Sequence, residues 1–360
     1  MDKLKKMKKS SRRNLVTYGM VTALFLLFQT LSGGGHLTRA LSGQLVPVCV
    51  YITAAIALNL VVGVSGELSL GHAGFLSIGA FSGAVFCHVF AGVGSGALRL
   101  ALSMLGGGVT AGVFGLLIGM PILRLRGDYL AIVTLAFGEI IKNLLNCLYL
   151  GYDAEGWHMG FGKSLSLGEG GVDVLSGPMG VTGNTKLATF AIGFALIMFA
   201  LFMVFNLRDS RTGRAIMAIR DNRIAAESIG LSAGRFKMIA FVCSAFLTGM
   251  AGALYVMNYA SVAPSKFGFN TSILLLVFVV LGGIGNIRGS VVAAIVLTVL
   301  PEQLRAVGDY RMLIYAVLLI AMMLLTQSEK GRALMAGAAK RLGRRRPVRK
   351  SVGEGAASHD

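Results

Sequence analysis

Apolar runs long enough to cross a bilayer recur along this chain, and short polar or charged stretches separate them. The pattern predicts helical spans at 15–31, 45–64, 68–91, 98–123, 129–150, 187–207, 238–259, 271–286, 289–307 and 309–326. A transmembrane barrel would show shorter segments of alternating polarity, so the expected fold is all-α, a polytopic helical membrane protein of about ten spans. The Gly- and Ser-rich run at 68–91 and the crowded block at 271–326 leave eight or nine spans open. The span domain covers 15–326, between a basic head at 1–14 and a basic tail at 327–360 that is expected to be disordered.

Charge orients this array. Lys3 to Arg13 holds seven basic residues, and Lys340 to Lys350 holds seven more. The net charge of +18 is concentrated at these tips and in one internal stretch, which is the distribution of a topology signal and not of a nucleic-acid footprint. With the head inside, Arg124 and Arg126, the stretch at 208–237, Arg288 and the tail all fall on the cytoplasmic side. The largest opposite loop, 151–186, carries Asp153, Glu155, Glu169 and Asp173 against Lys163 and Lys186, as a periplasmic loop should. Both termini are therefore expected in the cytoplasm, with Arg99 the one basic residue on the wrong side. The N-terminus imitates a signal peptide, but no clear cleavage site follows, and Leu15 to Leu31 reads as a retained first span.

The internal charged stretch, Ser210 to Gly230, reads as two short helices. Ser210 or Thr212 caps the first, in which Ala215, Ile216 and Ile219 share a face and Arg214 points away, with Arg220 close behind. Asp221 and Asn222 form a break and a second cap. The second helix runs from Arg223, with Ile224, Ala225, Ser228 and Ile229 on one side and Arg223 and Glu227 paired at i,i+4 on the other. Gly230 suits the helix stop. Helices this short do not persist alone in water. They need a surface, which is either lipid headgroups or a protein groove, and the adjacent small residues Ala225 and Ala226 favour the groove.

Glycine and ionisable residues give further structure. Gly79/Gly83, Gly108/Gly112, Gly115/Gly119 and Gly285/Gly289 are spaced for close helix packing. In "SGELSLGHAG", Gly66, Gly71 and Gly74 interrupt a span beside Glu67, Ser69 and His72. A broken helix of this kind presents backbone groups to a transported substrate, and these six residues are the candidate pathway lining, against the alternative of a packing kink. Glu139 and Lys142, three apart, are expected to neutralise each other, as are Glu302 and Arg305 in a Pro301 kink. The cysteines at 49, 87, 147 and 243 read as small buried apolar residues, and the histidines form no metal-binding set.

Ala225-Ala226, three residues and Gly230 match the core of the coupling-helix motif of ABC importer permeases, with Ile224 where the general motif has Glu. "GELSLGHAGFLSIGAF" (66–81), "RLRGDYLAIVTLAFGEI" (124–140), the stretch 213–255 and "LGGIGNIRGS" (281–290) resemble the permeases of branched-chain amino acid ABC importers, most of all the larger, M-type subunit. The resemblance runs from about 45 to 325, except that "EGGVDVLSGP" (169–178) departs from the family's loop at Glu169 and Val174. It implies a second, similar permease subunit, two cytoplasmic ATPases with a groove for the charged helix pair, a periplasmic binding protein that selects the cargo, and residence in the bacterial inner membrane.

Other chemistry is sparse. "GFGKS" (160–164) imitates a phosphate loop, but the glycine required five residues before Gly162 is Trp157, so no ATP site is expected on this chain. No nucleophile–base set is legible, which argues against an enzyme. The leading reading is an importer permease for branched-chain or other hydrophobic amino acids, energised by ATP on partner subunits. Its rivals are urea or short-amide uptake and an ion-coupled secondary transporter.

Overall fold

The computed structural model describes residues 9–33, 39–92, 94–125, 127–153, 156–162, 171–183 and 185–304, with isolated positions between 310 and 320. The chain divides into units at 1–306 and 307–360, and the architecture below is that of the first. Nine long helices occupy the first nine expected spans: α1 (Lys9–Gly33), α2 (Arg39–Asn59), α3 (His72–Val89), α4 (Gly96–Ile122), α5 (Asp128–Cys147), α6 (Phe190–Asp209), α9 (Ala233–Val256), α10 (Phe269–Gly282) and α11 (Ile287–Gln303). Between α6 and α9 lie α7 (Arg211–Asp221) and α8 (Arg223–Ser228). Seven helical stretches are long and apolar enough to cross a membrane, and α1 adds a shorter apolar stretch at Asn14–Thr30. The run at 309–326 and the Glu302–Arg305 pairing fall largely or partly outside the described residues.

Small residues bring the central helices together. A β-carbon at Gly79 of α3 would lie 2.1 Å from the carbonyl oxygen of Gly249 on α9, and one at Gly252 would lie 2.0 Å from that of Leu76. These backbones touch with no space for a side chain, which is how helices gain contact in lipid, where apolar burial supplies little drive. Helix α4 closes the trio through Gly107, against the Gly79 carbonyl, and Gly115, against Ala245. Phe75, Ile78, Ala111, Phe241 and Ala245 fill the space between. By contrast Leu105, Val109, Val113, Leu117, Ile132 and Ile140 on α4 and α5 stand exposed, a stripe that requires lipid or another subunit to cover it.

Two expectations about element boundaries fail. The span at 68–91 begins only at His72. Helix α2 runs on into a π-helical turn, Leu60–Ser65, and ends at Gly66 in the left-handed region (φ 74°), after which the chain is non-helical to Gly71. The left-handed Gly66 stops the helix, and the five residues that follow never rejoin it. The all-α expectation also gains an exception, because the loop expected at 151–186 carries strands. The fifth span stops at Cys147, and β1 (Leu148–Asp153) follows it directly. With β2 (Gly156–Phe161) and β3 (Val172–Ser176) it forms an antiparallel sheet of order β2-β1-β3. Asp153 accepts from Gly156 N–H (3.2 Å) and pairs with His158 Nε2 (2.9 Å) across the β1–β2 connection. Val181 and Val262 add an isolated bridge beside it. Cys147, at the junction of α5 and β1, is exposed, while Cys49 and Cys87 are buried as expected.

Candidate functional site

The charged helix pair forms as its sequence demands. The Ser210 hydroxyl accepts from Gly213 N–H (3.1 Å) and caps α7, and Asn222 Oδ1 accepts from Ala225 N–H (3.0 Å) and caps α8. Caps of this kind are worth about 1 kcal/mol each. Arg223 and Glu227 pair at 2.8 Å on the surface, and Gly230 turns the chain with φ 86°. Ile216 and Ile219 are buried beneath α7, and Arg214 points outward, donating to the Asp209 carbonyl (3.1 Å). In α8 the inward residue is Ala226, which packs with Ile219, Ala233, Leu231 and Phe236. That leaves Ile224 82% and Ile229 76% exposed, with Ala225 and Ser228 exposed beside them. The pair thus uses one apolar face to seat itself on its own bundle and presents a second to the outside.

Directly above this pair lies the broken segment. Gly66 and Leu68 are exposed, Glu67 is half-buried, and Ser69, Gly71, His72 and Gly74 are buried. His72 Nε2 lies 2.7 Å from Ser244 Oγ, and Ser244 donates to the Ala57 carbonyl (2.6 Å). Since that hydroxyl proton is committed, the imidazole N–H donates to Ser244. Nδ1 faces Ser69 Oγ at 3.1 Å. Leu70 N–H donates to Thr134 Oγ1 (3.1 Å), and β-carbons at Gly71 and Gly74 would strike the Thr134 carbonyl (2.2 Å) and the Gly138 Cα (2.9 Å). The break is therefore packed against α5, and its non-helical backbone leaves an exposed edge at Gly66 and Leu68.

Charge fixes the segment from below. Glu67 forms an ion pair with Lys237 in the first turns of α9, both side chains only 12% exposed. Arg220 at the end of α7 donates from Nη1 to the Gly63 carbonyl (2.8 Å). Asn59 donates from Nδ2 to Ser290 Oγ (2.6 Å) and accepts from Gly285 N–H (3.1 Å), so the glycine-rich turn between α10 and α11 seals the same end. Next to Gly138 on α5, Glu139 pairs with Lys142 as anticipated and also accepts from Phe269 N–H (2.8 Å). Sequence reasoning had named neither Asn59, Ser244 nor Lys237. Asn59 and Ser244 carried a signal, being polar residues inside apolar runs, where burial demands a partner.

Broken spans of this kind occur in transporters. Residues 40–327 match the family described as the branched-chain amino acid transport system / permease component. The chain belongs to this permease family. It is 38% identical over 287 residues to the high-affinity branched-chain amino acid transport system permease protein LivM of Salmonella typhimurium, covering 76% of this chain and 66% of that protein, and equally similar to LivM of Escherichia coli. The match therefore spans just under two thirds of the length of these relatives. LivH of Escherichia coli, a permease protein of a system of the same name, is 24% identical over 260 residues, covering 69% of this chain and 79% of LivH. No solved structure matches the chain. As a member of the permease family with several membrane-length apolar helices, the chain is a multi-pass membrane protein.

Proposed function

We propose that this chain is a transmembrane permease subunit of an ATP-driven importer for branched-chain or other hydrophobic amino acids. The two LivM relatives supply the substrate class through their names, and the likeness to LivH supports pairing with a second permease subunit. The observation that carries the reading is the α7–α8 tip, with Ile216, Ile219 and Ala226 seated inward and Ile224 and Ile229 facing out. Two bare isoleucines on a charged tip form a small apolar key with a polar rim, which is the chemistry of a helix that enters a groove. In this reading the groove belongs to an ATPase, one for each permease, and a periplasmic binding protein delivers the cargo. The tip lies in the cytoplasm with both termini, ten spans cross the bacterial inner membrane, and the sheet faces the periplasm. The broken segment from Gly66 to Gly74 borders the pathway, with Gly66 and Leu68 as its exposed edge, Glu67 half-buried beside them, and Ser69, Gly71, His72 and Gly74 packed behind.

The test is energetic. Uptake of radiolabelled leucine into cells carrying the complete system should stop when ATP is depleted with the ion gradient intact. Persistence of uptake under that condition would point to the ion-coupled alternative and end the importer reading.

A further inference from the structure

We infer that Arg220 is a strut that carries movement of the α7–α8 tip into the broken segment, acting as a positioning residue for transport; this rests on the reading of the tip as an ATPase-docking element. Three observations converge on this side chain. First, its guanidinium is held on two edges. Nε and Nη2 both donate to Asp221 Oδ1 (3.0 and 2.8 Å), while Nη1 donates to the Gly63 carbonyl (2.8 Å). A planar fork fixed this way transmits direction as well as distance, which a lysine ammonium on a flexible stem does not. Second, the acceptor lies in the π-helical turn just before the break, where carbonyls lack their usual helical partner and a cation is favoured. Third, the Arg220 stem runs across Gly66. A β-carbon there would lie 2.4 Å from Arg220 Cγ, so the residue at which the helix ends is bare on the side where the arginine crosses it.

The rest of the site makes this contact directional. Helix α7 is seated by Ile216 and Ile219, and α8 follows through the Asn222 cap, so a pull on Ile224 and Ile229 arrives at the end of α7. From there Arg220 reaches Gly63, and one residue past the π turn the backbone is at Gly66, a left-handed glycine with non-helical chain beyond it. Lys237, on the other side of the loop, holds the next residue, Glu67. Two cations that flank the loop thus hold the chain on either side of the Gly66 stop, one at Gly63 and one at Glu67. Loop and segment behave as one lever, hinged at glycine, that bears on the segment proposed to line the pathway.

A structural cap would stabilise the chain and do no more, so the experiment reads coupling. The full complex, reconstituted in liposomes with its ATPase and binding protein, is assayed for ATPase retention, ATP hydrolysis and leucine uptake. Arg220→Ala should keep the ATPase bound while raising the ATP hydrolysed per leucine moved by about tenfold, the size of a typical coupling effect. Arg220→Lys should recover part of the loss. Asp221→Ala, which frees one edge of the guanidinium fork, should raise the same ratio, and the double variant Asp221→Ala/Arg220→Ala should be no worse than Arg220→Ala alone. An unchanged ratio in Arg220→Ala, or additive effects in the double variant, would overturn the strut. If Arg220→Ala does not insert, the Arg220→Lys and Asp221→Ala ratios decide alone, and wild-type values in both overturn it. Failure of the wild-type chain to retain any ATPase would instead sink the docking reading on which the strut rests.

Discussion

Removing the outward isoleucines of α8 should separate docking from folding. Ile224 is 82% and Ile229 76% exposed, so nearly all the apolar burial available to them remains to be gained from a partner. Fully burying an isoleucine side chain is worth about 1.5–3 kcal/mol. Association also costs ordering entropy, so only part of that sum shows as affinity. Ile224→Ser should therefore weaken ATPase binding by about tenfold, and Ile224→Ser/Ile229→Ser by about a hundredfold, at 1.4 kcal/mol per decade. Neither side chain packs inside the chain, so stability should move by less than about 0.5 kcal/mol and the melting temperature should hold. The assay is a titration of purified ATPase onto the permease in mild detergent, beside a melting curve of each variant. Binding of the double variant within about twofold of wild type would refute the reasoning, since an apolar key that can be removed without loss is no key. Ala226→Glu makes the contrast. It buries a charge against Ile219 and Ala233, so it should lose binding and stability together.

Other outcomes follow from the same geometry. Glu67→Gln leaves the Lys237 ammonium 12% exposed without its carboxylate, and should lower stability by about 1–3 kcal/mol in a detergent melt, with Glu67→Lys/Lys237→Glu recovering part of it. Gly252→Val forces side-chain atoms into the Leu76 carbonyl and should part α3 from α9, read as loss of folded protein in the membrane fraction. For the pathway, Leu68→Cys should label with a water-soluble thiol reagent at rest and Ser69→Cys only during ATP turnover; equal labelling of Ser69→Cys with and without turnover would leave the break as a packing device.

The positions of the spans were written in the apolar runs, because a helix in lipid must be apolar for its own length, and that is local information. The caps at Ser210 and Asn222 and the stop at Gly230 were legible for the same reason, since each acts within four residues. The sheet was not. Its strands are six residues or fewer, and strands of that length are stabilised by partners the sequence does not name. The break at Gly66 was visible in its glycines, but its length was not, since Gly71 and Gly74 proved to serve contact with α5. Which partners the bonds of the site would join was not legible. Arg220 reaches back 157 residues, Lys237 170 and His72 forward 172. Such pairs exist only once helix packing has chosen neighbours. The wheel put Ile224 and Ile229 on one side of α8, yet it could not tell that Ala226 would take the inward place.

The passage from α5 into β1 without an intervening loop has a practical meaning. The chain contains one tryptophan, Trp157, and it lies on β2 directly opposite Tyr152 of β1, the two rings 5.5 Å apart. Half-open to solvent and joined through β1 to a helix that packs on the broken segment, this indole is a native fluorophore close to the end of α5. The unlabelled protein therefore carries its own optical gauge, and a change in its emission during turnover would report rearrangement around the sheet with no dye attached.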